Sequence, residues 1–307
     1  MKTILFGNGL NLLNDYSTWN DLLVRIDDKL DEDKIPNTMQ FEAEVLGLPE
    51  KKSSAITFDG DPVTFEGKQV IFTESSEIDL KKKIAEEMTK YKSNEIYQRI
   101  ASMKSVTHLV TTNYDDVMKR SLESLGYKEY EHIKNENIYS LRRRVSLRNE
   151  EGEQKHIWNI HGEISFPQTI MLGLHQYCGS VGRISEFLNG KYKYSKEKET
   201  LSLAKIQERL GEGIANPFSW IDLFFISDIY IIGFSLLYEE IDLWWILTRR
   251  KRLIRQGVNI TNHIYFCGDV HPGKRHLLHT MGVEIIAPDI KVGKYIDKYR
   301  SLLDKIN

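Results

Sequence analysis

TILFGNGLN, residues 3–11, is the stretch on which the fold turns. A short β-type run ends at Gly7-Asn8-Gly9, and residues 10–26 then become helical in period, with Leu12, Leu13, Leu22, Leu23 and Ile26 as apolar positions. Strand, glycine turn and helix in that order open a doubly wound sheet of the nucleotide-binding kind. The same grammar recurs along the chain. THLVTTNYDD (107–116) runs into a helix that Gly126 ends, and KHIWNIHGEI begins at Lys155. A strand at 229–232 turns at Gly233 into a helix carrying Leu243 and Ile246, and HIYFCGDVHP (263–272) precedes a helix through 274–281. VEIIAP (283–288) precedes the terminal helix. Strands alternating with helices predict an α/β fold, a Rossmann-like doubly wound parallel sheet covered on both faces.

Two regions interrupt this pattern and read as mainly helical insertions within one domain spanning 1–307. Residues 16–105 carry charged helices around a β-like patch, 56–73, whose Gly60 and Gly67 suggest hairpin turns. Residues 168–216 are polar and rich in Lys and Glu, with the mobile material expected at 191–200.

Composition narrows the function. The 307 residues hold 42 Lys+Arg against 44 Asp+Glu, with 41% hydrophobic and 28% charged residues, which excludes a disordered tail or a collagen-like repeat. A net charge of −2 gives no global case for nucleic acid. Cys178 and Cys267 are the only cysteines, too few for a four-cysteine zinc ribbon or a disulfide framework. The apolar run before Gly7 is too short for a signal peptide, and five carboxylates between Trp220 and Leu247 oppose a membrane helix. A cytoplasmic protein is the expectation.

Polar residues that follow an apolar strand lie at the carboxyl edge of such a sheet, where ligands bind. Gly7 and Gly9 would let a backbone approach a phosphate, although Leu12 replaces the third glycine of the usual fingerprint and a tight structural turn serves as well. Thr111-Thr112-Asn113-Tyr114-Asp115 sits at a second strand end, with helix capping by Asn113 or Asp115 as the plainer reading. His161, before Gly162, is suited to general-base work, or is structural. Gly233-Phe234-Ser235 permits phosphate approach and lacks the second glycine of a nucleophile elbow. Asp269, after Gly268, would hold ribose hydroxyls or cap a helix. The other histidines show no metal spacing. The basic run 249–255 reads as a solvated helix face or subunit contact, and Trp244-Trp245 as helix packing.

In their order, Gly7-Asn8-Gly9, Thr112 to Asp115, His161-Gly162, Gly233-Phe234-Ser235, Gly268-Asp269 and the final GVEIIAP resemble the SIR2 (sirtuin-like) superfamily. The opening GNG-L-N is similar to bacterial SIR2-like proteins, among them NAD-hydrolysing anti-phage effectors. The resemblance implies NAD as substrate and no metal. It implies Asn113 and His161 as catalytic, the first orienting the nicotinamide ribose and a water, the second as base. Gly7, Asn8, Gly9, Asn11, Asp115, Gly233, Ser235 and Asp269 would bind the dinucleotide: glycines at the pyrophosphate, Ser235 on phosphate, Asp269 at the adenosine ribose, Asp115 on the carboxamide.

The chain departs from the deacetylases of that superfamily. It lacks their zinc cysteines, and it has Thr112 for glutamine and Phe234 for threonine. Water is therefore the expected acceptor and NAD+ hydrolysis the expected reaction. A sensor that binds NAD or ADP-ribose without turnover, and a deacylase or ADP-ribosyltransferase, are the alternatives. A homo-oligomer, or a partner ATPase or sensor protein, is the expected assembly.

Overall fold

The structure is a computed structural model and describes residues 1–14, 35–47, 76–133, 138–196, 199–289 and 294–306, with short paired segments between 54 and 72. Leu22, Leu23, Ile26, Gly60 and Gly67 lie outside the described residues.

Eight strands form the central sheet: β1 (Lys2–Phe6), β2 (Val106–Thr111), β3 (Lys128–Ile133), β4 (Arg144–Arg148), β5 (Gln154–Asn159), β6 (Asp228–Ile232), β7 (Ile264–Cys267) and β8 (Val283–Ile286). Their spatial order is β8-β7-β6-β1-β2-β5-β4-β3. Every pair from β8 to β5 is parallel, and β4 and β3 extend the sheet antiparallel. Taking the parallel strands alone, the chain goes outward from β1 through β2 to β5, returns to β6 on the other side of β1, and goes outward again. That is the Rossmann-like order, with its reversal between β1 and β6.

The helices are α1 (Asn37–Gly47), α2 (Ser76–Met88), α3 (Glu95–Ser102), α4 (Val117–Ser124), α5 (Leu174–Leu188), α6 (Ile206–Glu212), α7 (Trp220–Ile226), α8 (Ile241–Arg255), α9 (Pro272–Thr280) and α10 (Tyr295–Ile306). None of the described helices is long and apolar enough to cross a membrane. Strand residues alternate between two cores, as a period of two requires. Ile4, Phe6, Leu109, Ile157 and Ile232 pack with α2, α3, α4 and α10. Leu5, Val110, Trp158 and Ile231 pack with α5, α7, α8 and α9. Because both faces are covered, β1 and β6 read as nearly continuous apolar runs. Each fully buried Leu, Ile or Phe contributes about 1.5–3 kcal/mol.

Both insertions contain helices, but also strand pairs. Thr57–Phe58 pairs with Asp61–Pro62, and Thr64–Phe65 with Lys68–Gln69. The segment expected to be mobile contains Lys193–Lys196 paired antiparallel with Glu199–Ser202, and residues 197–198 lie outside the described set. Residues 144–148 are an inner strand of the antiparallel extension, with Val145 and Leu147 buried. One reading of basic residues is corrected. Arg250 is not on a solvated face. It is 3% exposed, its Nε donates to the Phe224 carbonyl at 2.9 Å, and Nη2 donates to the Asn262 carbonyl.

Candidate active site at the carboxyl edge

The chain after β1 and the chain after β6 cross at the reversal point. Gly9 N–H donates to the Gly233 carbonyl at 2.8 Å. A Cβ on Gly9 would stand 2.6 Å from that same oxygen, so glycine is required by the approach of two backbones. Beneath Gly7, the ring of Phe234 leaves no room for a Cβ either. The crossing forms the middle of a cleft of about 750 Å³, well within the size range of ligand pockets. The cleft runs along the strand ends from Asp269 after β7 to His161 after β5, four strand spacings or about 19 Å apart.

His161, Asn8, Gly9, Gly233, Ser235 and Asp269 line this cleft. Ser235 is exposed, and the Lys274 ammonium donates to its carbonyl, which holds the loop after β6 against α9. Asp269 does not cap α9, since His271 does so through Nδ1. Instead it pairs with Lys298 at 3.0 Å across the cleft end.

Asn11, Asn113 and Asp115 form a buried layer away from the cleft wall. Asn11 is fully buried, and its amide donates to Asn8 Oδ1 at 3.0 Å and to Asp115 Oδ2 at 2.9 Å. The Tyr97 hydroxyl donates to Asn11 Oδ1 at 2.8 Å, and Asn113 Nδ2 donates to that hydroxyl at 3.3 Å. Asp115 Oδ1 also accepts the Val117 N–H at 3.0 Å, so from one residue before the N-cap Asp116 it satisfies the first N–H of α4, as the plainer reading expected. Burial holds the Asp115 carboxyl above its usual range against the hydrogen bonds from Asn11 and Val117. Asp115 faces a second, smaller cavity of about 280 Å³ that also touches Glu163 and His132. Tyr114 lies between the two cavities, its hydroxyl bonded to the Met171 carbonyl.

The chemistry concentrates at His161. The pairing of β5 with β2 continues past the strand, because Ile160 N–H donates to the Thr111 carbonyl at 3.0 Å. Gly162 then turns at φ +113°, and a Cβ there would be 2.4 Å from the Thr169 carbonyl. The segment 169–171 can therefore lie against the turn, with Met171 N–H donating to the His161 carbonyl at 2.8 Å. The imidazole is 1% exposed. Its Nε2 lies 3.0 Å from Asp242 Oδ2, and its Nδ1 faces Glu240 Oε2 at 3.7 Å. Tyr177 packs edge-on against the ring, with centroids 5.1 Å apart.

Asp242 is fully buried in the first turn of α8. Its oxygens also accept from Ser180 Oγ at 3.2 Å and Leu243 N–H at 2.8 Å, and the helix start favours negative charge there. Burial pushes the His161 imidazole down, but Asp242, by charge and hydrogen bond, and Glu240 outweigh it and hold it above its ordinary value. Burial pushes the Glu240 carboxyl up to about 7, with Asp242 and Glu239 adding to the rise against His161 and Tyr177.

Neither Glu240 nor Asp242 is singled out by sequence. Both sit in LLYEEIDLWW, where they read only as charges breaking an apolar run. Among the described residues, one donor atom each from His161, Glu240 and Asp242 lies within 4.8 Å of the others. Nε2 and Asp242 are within hydrogen-bond distance at 3.0 Å, so the set can share a proton.

Residues 107–203 match the family model of the SIR2-like domain. No curated protein matches the chain. The matched stretch supplies β2, the buried asparagine and aspartate behind it, and Thr112, Tyr114, His161, Leu172 and Tyr177, which line one end of the cleft. That match, over about a third of the chain, and the Rossmann-like sheet support membership of the SIR2-like superfamily, a sirtuin-related group that binds NAD.

Proposed function

We propose that the protein hydrolyses NAD+ to nicotinamide and ADP-ribose. One observation carries the reading: a buried histidine, anchored by a buried carboxylate, stands at the wall of a dinucleotide-sized cleft at the reversal of the sheet. Nicotinamide leaves a cationic pyridinium as a neutral molecule, so the leaving side needs no strong acid. What is needed is a positioned ribose and a group that takes a proton from the incoming nucleophile. His161 supplies the second. Ser235 and the Gly9–Gly233 crossing stand where the phosphates would pass, and Asp269 where the far ribose would lie. The two cysteines sit apart, one exposed on α5 and one buried at the end of β7, which supports water over an acyl-lysine peptide as acceptor.

Incubation of the protein with NAD and chromatographic detection of nicotinamide tests the reading. His161→Ala should lower turnover by roughly 10²–10⁴-fold while leaving NAD binding nearly intact. Equal losses of binding, melting temperature and turnover would make the histidine structural. A second reading, binding of NAD or ADP-ribose without turnover, is favoured by Asn113, which is 4% exposed and engaged by Tyr97 rather than facing the cleft. Binding with no nicotinamide release would select it. Deacetylation of an acetyl-lysine peptide would select a deacylase.

The resemblance to anti-phage effectors extends the reading to abortive-infection defence, with activity held off until copies assemble or a partner ATPase or sensor arrives. A monomer by light scattering at micromolar concentration, unchanged by candidate partners, would remove the assembly part.

A further inference from the structure

Resting on the hydrolytic reading, we infer that Glu240 is a catalytic residue, the group through which His161 exchanges its proton with the cleft, and that Asp242 is a positioning residue for both. The geometry separates the three roles. Asp242 has no exposed surface and accepts hydrogen bonds from α5 and α8, so it acts only as an acceptor toward Nε2. An acceptor at Nε2 leaves the hydrogen of the neutral imidazole there and turns the Nδ1 lone pair toward Glu240. His161 itself is 1% exposed. Glu240 keeps 15% of its side chain exposed and lines the cleft beside His161, so of the three it is the most open to a bound molecule. Its Oε2 is buried without a hydrogen-bond partner, although Nδ1 is only 3.7 Å away. A buried carboxylate oxygen facing a lone pair is unfavourable until a proton enters between them, and this makes the pair a proton acceptor.

The step balances. A water oxygen forms the new bond to C1′ of the ribose as the C1′–nitrogen bond breaks, and that bond's electron pair leaves on nicotinamide, which becomes neutral. The water's proton passes to the Glu240 carboxylate, whose Oε2 shares it with His161 Nδ1, and then to solvent. The reaction consumes one water and releases one proton. Other charged or titratable groups face the pair: Arg143 from the loop before β4, Tyr177 from α5, Tyr114 after β2, and Glu239 beside Glu240.

Glu240→Gln keeps the shape and removes the carboxylate. In the full-length protein with nitrogen-15-labelled histidine, assigned by His161→Ala, the wild-type ring should carry its hydrogen on Nε2 when neutral. The Gln variant should titrate at least one pH unit lower, since it has lost a facing negative charge. Nicotinamide release should fall by about 10²-fold or more in kcat with KM for NAD little changed, and the limb of the pH profile near neutrality should disappear. Asp242→Asn should move hydrogen onto Nδ1 and also lower kcat. If that variant fails to fold, Glu240→Gln still decides. Active wild type with an indifferent Glu240→Gln, in both pH profile and histidine titration, overturns the inference alone. Wild type that releases no nicotinamide overturns the hydrolytic reading and the catalytic role together.

Discussion

Replacing Asn11 by Ala tests whether the buried polar layer is one unit. The substitution deletes bonds to Asn8 and Asp115 and the acceptor of the Tyr97 hydroxyl, at 3.0, 2.9 and 2.8 Å. Asp115 Oδ2 and the Tyr97 hydroxyl hydrogen are then left buried without those partners. Each such group costs about 1–3 kcal/mol, and because members of one network do not add, about 3 kcal/mol is the expected total. At roughly 2–4 °C per kcal/mol, the melting temperature should fall by about 6–12 °C. The loss should also depend on pH. Burial holds the Asp115 carboxyl above its unfolded value, and the Asn11 hydrogen bond opposes that rise. Without the bond the folded value climbs further. A carboxyl whose folded value is raised stabilises the fold while protonated and loses that stability as pH rises through the folded value. The deficit of Asn11→Ala should therefore be larger at pH 8 than at pH 5. Thermal unfolding followed by circular dichroism at both values measures it. A variant that melts within about 2 °C of wild type at both would refute the coupling, because that is the size of an ordinary surface substitution.

Gly9→Ala should separate the crossing loops, since its Cβ would meet the Gly233 carbonyl at 2.6 Å. Overpacking of about 1–3 kcal/mol is expected, together with weaker NAD binding by calorimetry, and unchanged binding would show that the crossing does not shape the cleft. Lys155 is 2% exposed, and burial pulls its ammonium down to about 8 from 10.5. The folded chain thus gives up this proton before the unfolded chain does, and wild type should gain stability relative to Lys155→Met between those pH values, read by urea unfolding. No relative gain would mean that the ammonium is not titrating in the fold.

The parallel half of the sheet was legible because its strands carry apolar runs, most of them followed by glycine or a polar residue. The antiparallel edge was not. β3 reads KEYEHI with no buried residue, and β4 hides Val145 and Leu147 among arginines and a serine, so charge masked the pattern. Arg250 was misread for a similar reason. Residue type placed it with its basic neighbours, whereas its burial follows from where α8 meets α7 and the loop before β7. At the site, strand ends pointed to His161 and Asp269 directly. Asp242 lies 81 residues from His161, and only the passage of the chain back across β1 brings them together.

That passage also changes what the glycines do. In the simplest reading of a glycine turn, the backbone N–H groups wait for phosphate. Here the Gly9 N–H is already given to Gly233, so the crossing builds the floor of the cleft and the charge that meets an anion must come from elsewhere. Lys298 is placed to supply it, and at rest it pairs with Asp269, which is 64% exposed. An exposed ion pair of this kind holds about 0–1 kcal/mol, so under the proposed hydrolytic reading a pyrophosphate would displace the lysine at little cost and leave the aspartate to ribose hydroxyls. On that reading the resting pair holds a cation and a carboxylate together at the cleft end until NAD separates them.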